Sequence, residues 1–527
     1  MKRMLMLLMI LTLAAVPALA EPAGGVSFAE GWDTDDNARV FYEIFVGSFS
    51  DSDGDGTGDL RGILNRLDYL NDGDPASGKS LGVEGIWLTP VFASPSYHKY
   101  DVTDYYSVDP VFGTEEDLRA LTEACHARGV KLILDLPINH TGDRCDWYRR
   151  FLNAHVMHNT ESPYYDFYTW AGSAEEIPAG RHFIRIPRRE LWVEANFSDD
   201  MPELNFDSPA VREALLDVGR HYLALGVDGF RFDAAKYIYL NDHAACAEFW
   251  DWYIGELKAI RPDLYTVAEV WDSDAVTDYY LSAANCFNFN ASQVSGIIAT
   301  TAQGGDANRF TSYVEKTLTR LHALNPEAMN IFFIANHDTD RAAGYLTAAS
   351  GQMQMAANLY LLSPGSPFIY YGEELGMKGS RGGASTDANR RLAMRWGDGD
   401  TVRDPVGATY EASKQTAGTA AEQDADPASL LSHYRRLLMI RRANPEIARG
   451  EYRALTLKGS RMGGFTVTWQ GRTAAVFHNP TQKPLQVTLA DVTDIEFTAL
   501  AAAVGLGGAS LEDGVLTLDP LTSAVLR

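Results

Sequence analysis

Four short blocks concentrate acids, histidines and one arginine: Asp135-Leu-Pro-Ile-Asn139-His140, Gly229-Phe-Arg231-Phe-Asp233-Ala-Ala-Lys236, Thr266-Val-Ala-Glu269-Val-Trp271 and Ala335-Asn336-His337-Asp338. Residues of these types can open a glycosidic bond with retention. That chemistry asks for two carboxyl groups about 5–5.5 Å apart, one ionised as nucleophile and one protonated as acid. Arg231 stands two residues before Asp233, so on a strand both point to one face. A neighbouring cation lowers a carboxyl pKa, which suits Asp233 to the nucleophile's part. Glu269 is flanked by Val270 and Trp271 and has no sequence-adjacent cation. Apolar surroundings raise a carboxyl pKa, as a general acid requires.

Taken singly, each of these residues also reads as a strand cap or one half of an ion pair. Their joint placement argues otherwise. Each block follows or ends an apolar, β-rich run, and the runs recur along the chain: 40–46, 83–88, 130–136, 229–232, 264–268, 286–289, 331–335 and 368–371. Helical patterns such as 114–128, 209–225 and 242–260 lie between them. Repeated strand–helix alternation implies a parallel sheet, and eight units predict a (β/α)8 barrel. In such a barrel the active site lies at the C-terminal ends of the strands. All four blocks fall there; charge is costly to bury without partners, and a cluster at that end of a barrel is where perturbed acids do chemistry.

Two intervals break the rhythm. Residues 141–205 are long, aromatic and irregular, too long for a bare loop, and are expected to form an inserted domain after the third strand. After a helical segment at 427–443, short alternating runs (464–469, 474–477, 485–489) predict an antiparallel β-sandwich over 450–527. The barrel is then 21–140 together with 206–449, with an exposed loop expected at 404–426.

The four blocks, in this order, resemble the motifs of the α-amylase family of retaining glycosidases, glycoside hydrolase family 13. Met201-Pro-Glu-Leu-Asn205 resembles that family's additional motif near the end of its inserted domain. The resemblance implies Asp233 as nucleophile, Glu269 as general acid/base and Asp338 as a third carboxylate that binds the sugar's hydroxyls and favours its distorted ring. It implies His140 and His337 as hydrogen-bond donors to that sugar, Arg231 orienting Asp233, and Asp135 as a structural partner of Arg231. Ser96-Tyr97-His98-Lys99-Tyr100-Asp101 resembles the segment after strand two that supplies a stacking tyrosine, here Tyr100, with His98 and Asp101 beside it. The family often has Gly where Lys99 stands. Arg341 matches a family arginine near the same subsite, and Lys236 a position used beyond the cleavage point. Tyr237 stands where those enzymes usually carry His, at a position whose carbonyl often binds calcium.

Asp51-Ser-Asp53-Gly-Asp55-Gly-Thr57-Gly-Asp59 is a separate signal. Acids at positions 1, 3, 5 and 9 with Gly at 6 make an oxygen-rich loop suited to Ca2+, although Gly62 replaces the closing Glu of an EF-hand. So many close carboxylates would repel one another without a cation. The expected ligands are Asp51, Asp53, Asp55, the Thr57 carbonyl and Asp59. Asn139 is a candidate for a second calcium near the inserted domain.

The chain has 527 residues and a net charge of −25, so nucleic acid and anionic membranes are poor partners. Lys2 and Arg3, the apolar run 4–16 and Ala18-Leu19-Ala20 read as a secretory signal cleaved after Ala20. A secreted or periplasmic monomer is expected. In that setting Cys125, Cys145, Cys246 and Cys286 could form up to two disulfides, whose pairing the spacing does not choose.

Ala234 after the nucleophile and Lys236 resemble α-1,4-acting members. The calcium loop, Tyr100-Asp101 and the segment 391–396 resemble oligosaccharide-acting ones. The Met-Pro start of the additional motif resembles members intermediate between the oligo-1,6-glucosidase and neopullulanase groups. The resemblance therefore implies an α-glucan substrate and an α-amylase of intermediate type. The alternatives are an exported α-glucosidase or oligo-1,6-glucosidase and an α-glucan transglycosylase. A non-catalytic carbohydrate-binding relative would typically lack one of the three carboxylates, and all three are present.

Overall fold

The computed structural model describes residues 36–381, 387–411, 415–416 and 418–527. The expected signal segment, 1–20, lies outside the described residues.

Seven parallel strands form a curled sheet: β1 (Phe41–Ile44), β2 (Gly85–Leu88), β3 (Lys131–Leu136), β4 (Gly229–Phe232), β5 (Tyr265–Ala268), β6 (Asn285–Cys286) and β7 (Phe368–Tyr370). The order is β6-β5-β4-β3-β2-β1-β7. The seventh apolar run, 331–335, does not form a ladder. It fills the gap between β6 and β7 with single contacts: a parallel bridge from Phe287 to Ile331 and a bond from the Phe368 amide to the Phe332 carbonyl at 2.8 Å. The molecule is thus a (β/α)8 barrel whose eighth place is held by isolated bonds. Its strands are buried almost throughout, because helices cover them outside and side chains fill them inside.

The inside is an aromatic plug of Phe41, Trp87, Tyr265, Phe287, Phe333 and Phe368 with Ile133, Val267 and Ile331. Gly85 makes room for it, since a Cβ there would sit 2.4 Å from the Phe41 ring. The outer helices start where the sequence provides caps. Thr114 and Asp117 form a reciprocal capping box on helix Glu115–His126, Pro209 opens Pro209–Ala224, and Asp242 caps His243–Ile260.

The insertion contains helix Asp146–Val156 and a small antiparallel sheet of Trp170–Ala171, Phe183–Arg185 and Trp192–Glu194. Beyond residue 450 the chain builds a five-stranded and a three-stranded antiparallel sheet packed around Met462, Phe477, Leu516, Leu518 and Leu526. The hairpin at Gln470-Gly471, both residues at positive φ, has the backbone of the tight turns that suit strand twist. Two expectations are corrected. All four cysteines are buried free thiols, so no disulfide forms. Within 404–426 a capped helical turn, Ala420–Asp424, replaces part of the expected loop. Among the described residues no helix is long and apolar enough to cross a membrane.

Candidate active site

β3, β4 and β5 lie side by side in a register that pairs Arg231 with Asp135 on one flank and with Val267 on the other. Asp233 and Glu269 are the first residues beyond β4 and β5. Arg231 sits between them. Its Nη1 donates to Asp135 Oδ1 at 2.7 Å and Asp233 Oδ1 at 2.5 Å, and its Nη2 lies 3.0 Å from Glu269 Oε2. One planar guanidinium therefore holds the Asp233 and Glu269 oxygens within roughly 8 Å of each other.

The neighbouring strand thus brings to Glu269 the cation that its sequence neighbours do not supply. The Glu269 carboxyl is nevertheless raised above the usual range. Burial is the largest cause, Asp233 and Asp338 add to it, and Arg231 and the Ala234 amide oppose it. Ala234 adopts a left-handed φ of 48°, and its N–H donates to Glu269 Oε2 at 3.0 Å. Asp135 is fully buried, which pushes its carboxyl up to about 7 against the pull of Arg231.

Asp338 is held from two sides. His337 Nε2 lies 3.0 Å from its Oδ2, and Arg391 Nη2 donates to Oδ1 at 2.7 Å. Burial works against ionisation, but His337, Arg391 and Arg231 together keep this carboxyl well below the usual range. His337 is raised to about 10. Burial pulls it down, and Asp338 and Glu43 outweigh that. The Tyr100 hydroxyl meets His337 Nε2 at 2.6 Å and Asp135 Oδ2 at 2.8 Å, and the Tyr100 and His337 rings stack at 14°. His98 and His140 are lowered to about 4, chiefly by burial, so they are neutral near pH 7.

Asp233, Glu269 and Asp338 open together on a cavity of about 810 Å³, lined also by Tyr97, His98, Tyr100, His140 and Lys236. Arg231 and His337 lie buried beneath it. Around Lys236, whose Nζ donates to the Trp271 carbonyl at 2.8 Å, stand three aromatic rings. Phe197 from the insertion packs on Tyr237 at 4.9 Å, and half-exposed Trp271 stacks on Phe289 at 4.8 Å.

Four expected substrate residues do not reach this space: Arg231 and His337 lie beneath it, His337 with its ring nitrogens taken by Glu43, Asp338 and Tyr100 and so not placed to donate to a sugar, and Arg341 and Asp101 lie elsewhere. Arg341 is buried against Tyr370 and Tyr371 and donates to the Tyr371 and Arg390 carbonyls. Asp101 is buried and accepts from Ser94 at 2.7 Å and from Ser96. Arg391 stands beside Asp338 instead. It was not singled out from the sequence, where only its segment was noted. Glu43 was missed as well. Its signal was a lone acid inside an apolar strand.

The loop after β1 gathers Asp51, Asp53 and Asp59, with one oxygen of each within 4.8 Å of the others. Hard carboxylate oxygens at that spacing fit a calcium ion. Asp55 lies outside this group and accepts from the Thr57 amide at 2.6 Å. The loop is tied to residues 400–403: Thr401 donates to Asp51 at 2.6 Å, the Asp51 amide donates to Asp400 at 3.3 Å, and the Arg403 amide donates to the Gly56 carbonyl at 2.9 Å. The Asn139 amide is buried with neither polar atom bonded, and no trio of acidic ligands surrounds it among the described residues.

A family model described as the catalytic domain of α-amylase matches residues 43–450. α-Amylase 3 of Dictyoglomus thermophilum is 34% identical over 449 residues, covering 84% of each chain. A 4-α-glucanotransferase of Thermotoga maritima is 29% identical over 449 residues, covering 84% of this chain and 95% of that one. The solved structure of Eubacterium rectale Amy13B matches with a TM-score of 0.84 at 33% identity, covering 93% of this chain and 96% of that one.

Proposed function

The chain belongs to the α-amylase family, whose enzymes act on α-glucans, and we propose that it is a retaining hydrolase of internal α-1,4 bonds in starch, glycogen and maltooligosaccharides. The observation that carries this reading is the shared contact of Arg231 with Asp233 and Glu269, combined with a Glu269 carboxyl raised by burial. Both acids share one cation, and burial together with Asp233 and Asp338 shifts Glu269 toward its protonated form.

With Asp233 as nucleophile and Glu269 as acid, the steps of a retaining hydrolysis are these. The Asp233 carboxylate attacks the anomeric carbon while the Glu269 carboxyl gives its proton to the departing oxygen. A β-linked glycosyl ester on Asp233 results. The Glu269 carboxylate then takes a proton from water, the hydroxide adds to the anomeric carbon, and Asp233 leaves. Two inversions return the α anomer. Asp338, held ionised by His337 and Arg391, accepts hydrogen bonds from the sugar hydroxyls. His140 and His98, being neutral, donate without repelling the positive charge that develops on the ring. Tyr100 supplies the stacking face.

A sugar acceptor in place of water is the second reading, and the aromatic wall of Phe197, Tyr237 and Trp271 around Lys236 favours it. We assign Ca2+ to Asp51, Asp53 and Asp59, where it would cancel carboxylate repulsion and fix the loop; the orphaned Asn139 amide is the candidate ligand for a second ion. The N-terminal pattern supports export. NMR of the first product formed from maltohexaose tests the reading. The α anomer is expected, and a β anomer would reject it.

A further inference from the structure

Residue 99 has a φ of 66°, a left-handed backbone that favours glycine, yet it is lysine. Its two neighbours, His98 and Tyr100, both line the cavity. The Lys99 side chain turns the other way, inward, and is 7% exposed. Its Nζ lies 2.7 Å from Asp109 Oδ2, donates to the Ser94 carbonyl at 2.9 Å and stands 5.4 Å from the centre of the Phe112 ring. Asp109 is itself buried and accepts from the Ser94 and Val111 amides at 3.0 and 3.1 Å. The Lys99 amide completes the fold of the segment by donating to Ser96 Oγ at 3.1 Å.

We propose that Lys99 is a positioning residue: its ion pair with Asp109 pins the strained turn of 94–101 from below, so that His98 and Tyr100 present their rings to the sugar. A buried carboxylate stripped of its cation is strongly unfavourable, so Asp109 holds the ammonium in place. The ammonium in turn fixes a backbone conformation that a lysine would leave if free. The Tyr100 hydroxyl meets Asp135 and His337 only while that turn keeps its shape. The Phe112 carbonyl accepts from the Leu60 amide, so the same anchor reaches the base of the 51–59 loop.

The inference about substrate rests on the reading above, and the test separates the two. Lys99→Met removes the charge and keeps the stem. Lys99→Gly with Asp109→Asn supplies a residue at ease at this φ and removes the unpaired acid. Full-length variants are compared by hydrogen exchange of a peptide spanning 94–101 and by KM and kcat on a chromogenic maltooligosaccharide. Lys99→Met should speed exchange there about tenfold and raise KM about tenfold, with kcat falling less. The double variant should recover both to within about threefold. Unchanged exchange at 94–101 in Lys99→Met overturns the proposal, as does altered exchange with KM and kcat both intact. If Lys99→Met does not fold, a double variant that folds with exchange as fast as unprotected peptide, or with KM still raised tenfold, overturns it. Failure of the wild type to turn over any α-glucan would strike the functional reading, while the exchange result still decides the anchor.

Discussion

Glu43 grips His337 twice with one oxygen. Its Oε1 accepts from the His337 backbone amide at 3.2 Å and meets ring Nδ1 at 2.6 Å. The other ring nitrogen is thereby presented to Asp338 and Tyr100. An acid on the first strand thus sets the state of a histidine nearly three hundred residues later, and through it the third carboxylate.

Glu43→Gln should lower the His337 pKa. That value stands near 10, above the ordinary 6.5. A group raised on folding adds stability that is complete below its unfolded value and vanishes as pH climbs through its folded value. In the wild type this stability should therefore decline between about pH 6.5 and about pH 10, while the rate keeps a protonated His337 up to about pH 10. The variant should lose stability and kcat/KM at least ~1 pH unit earlier. Coincident profiles from melting and initial rates would count against this linkage.

Glu269→Gln removes the group assigned above as proton donor. Turnover of an ordinary maltooligosaccharide should drop by roughly 10²–10⁴-fold. Substrates with an activated aryl leaving group should lose far less in the first step. Equal losses on both substrate types, measured as pre-steady-state bursts, would contradict the assignment.

Asp233→Asn should cut turnover by about three powers of ten or more while sugar affinity survives, because only the covalent step is lost. Calorimetry with maltotriose alongside the rate assay checks it. Weak binding with turnover intact would be the wrong result.

Arg391→Ala strips Asp338 of one of its two close cations. A loss near 100-fold in kcat/KM, about 2.7 kcal/mol, is expected. Arg341→Lys, by contrast, acts where no sugar reaches and should show its effect in the melting curve first. Matching kinetic losses in the two variants would undo the distinction between them.

Chelation should lower the melting temperature by a few degrees, because an ion held at a hundred times its Kd adds about 2.7 kcal/mol to the native state. Asp53→Asn should make the melting curve indifferent to chelator. A wild-type curve unmoved by calcium or chelator would remove the metal from the 51–59 loop.

The sequence made Asp233 and Glu269 readable because each follows an apolar run directly, and the barrel rule says what such a position faces. It could not show that Arg231 also touches Glu269, since that contact depends on strand register and not on spacing along the chain. Arg341 misled for the same reason. It lies three residues from Asp338 in sequence, but its guanidinium is taken up by Tyr370 and Tyr371. Arg391 does that work from 53 positions away. The run 331–335 looked like a strand because it is apolar, yet burial alone satisfies that pattern; hydrogen bonding supplies only isolated links.

Phe197 and Trp271 are steadied by Tyr237 and Phe289, not by the charges under Asp233 and Glu269. If these rings select the acceptor, as proposed above, that preference can drift through exchanges at them while the floor of the site stays untouched. Arg231, bound to three acids at once, allows no such freedom. A lineage built on this plan would diversify at its lips and stand still at its throat.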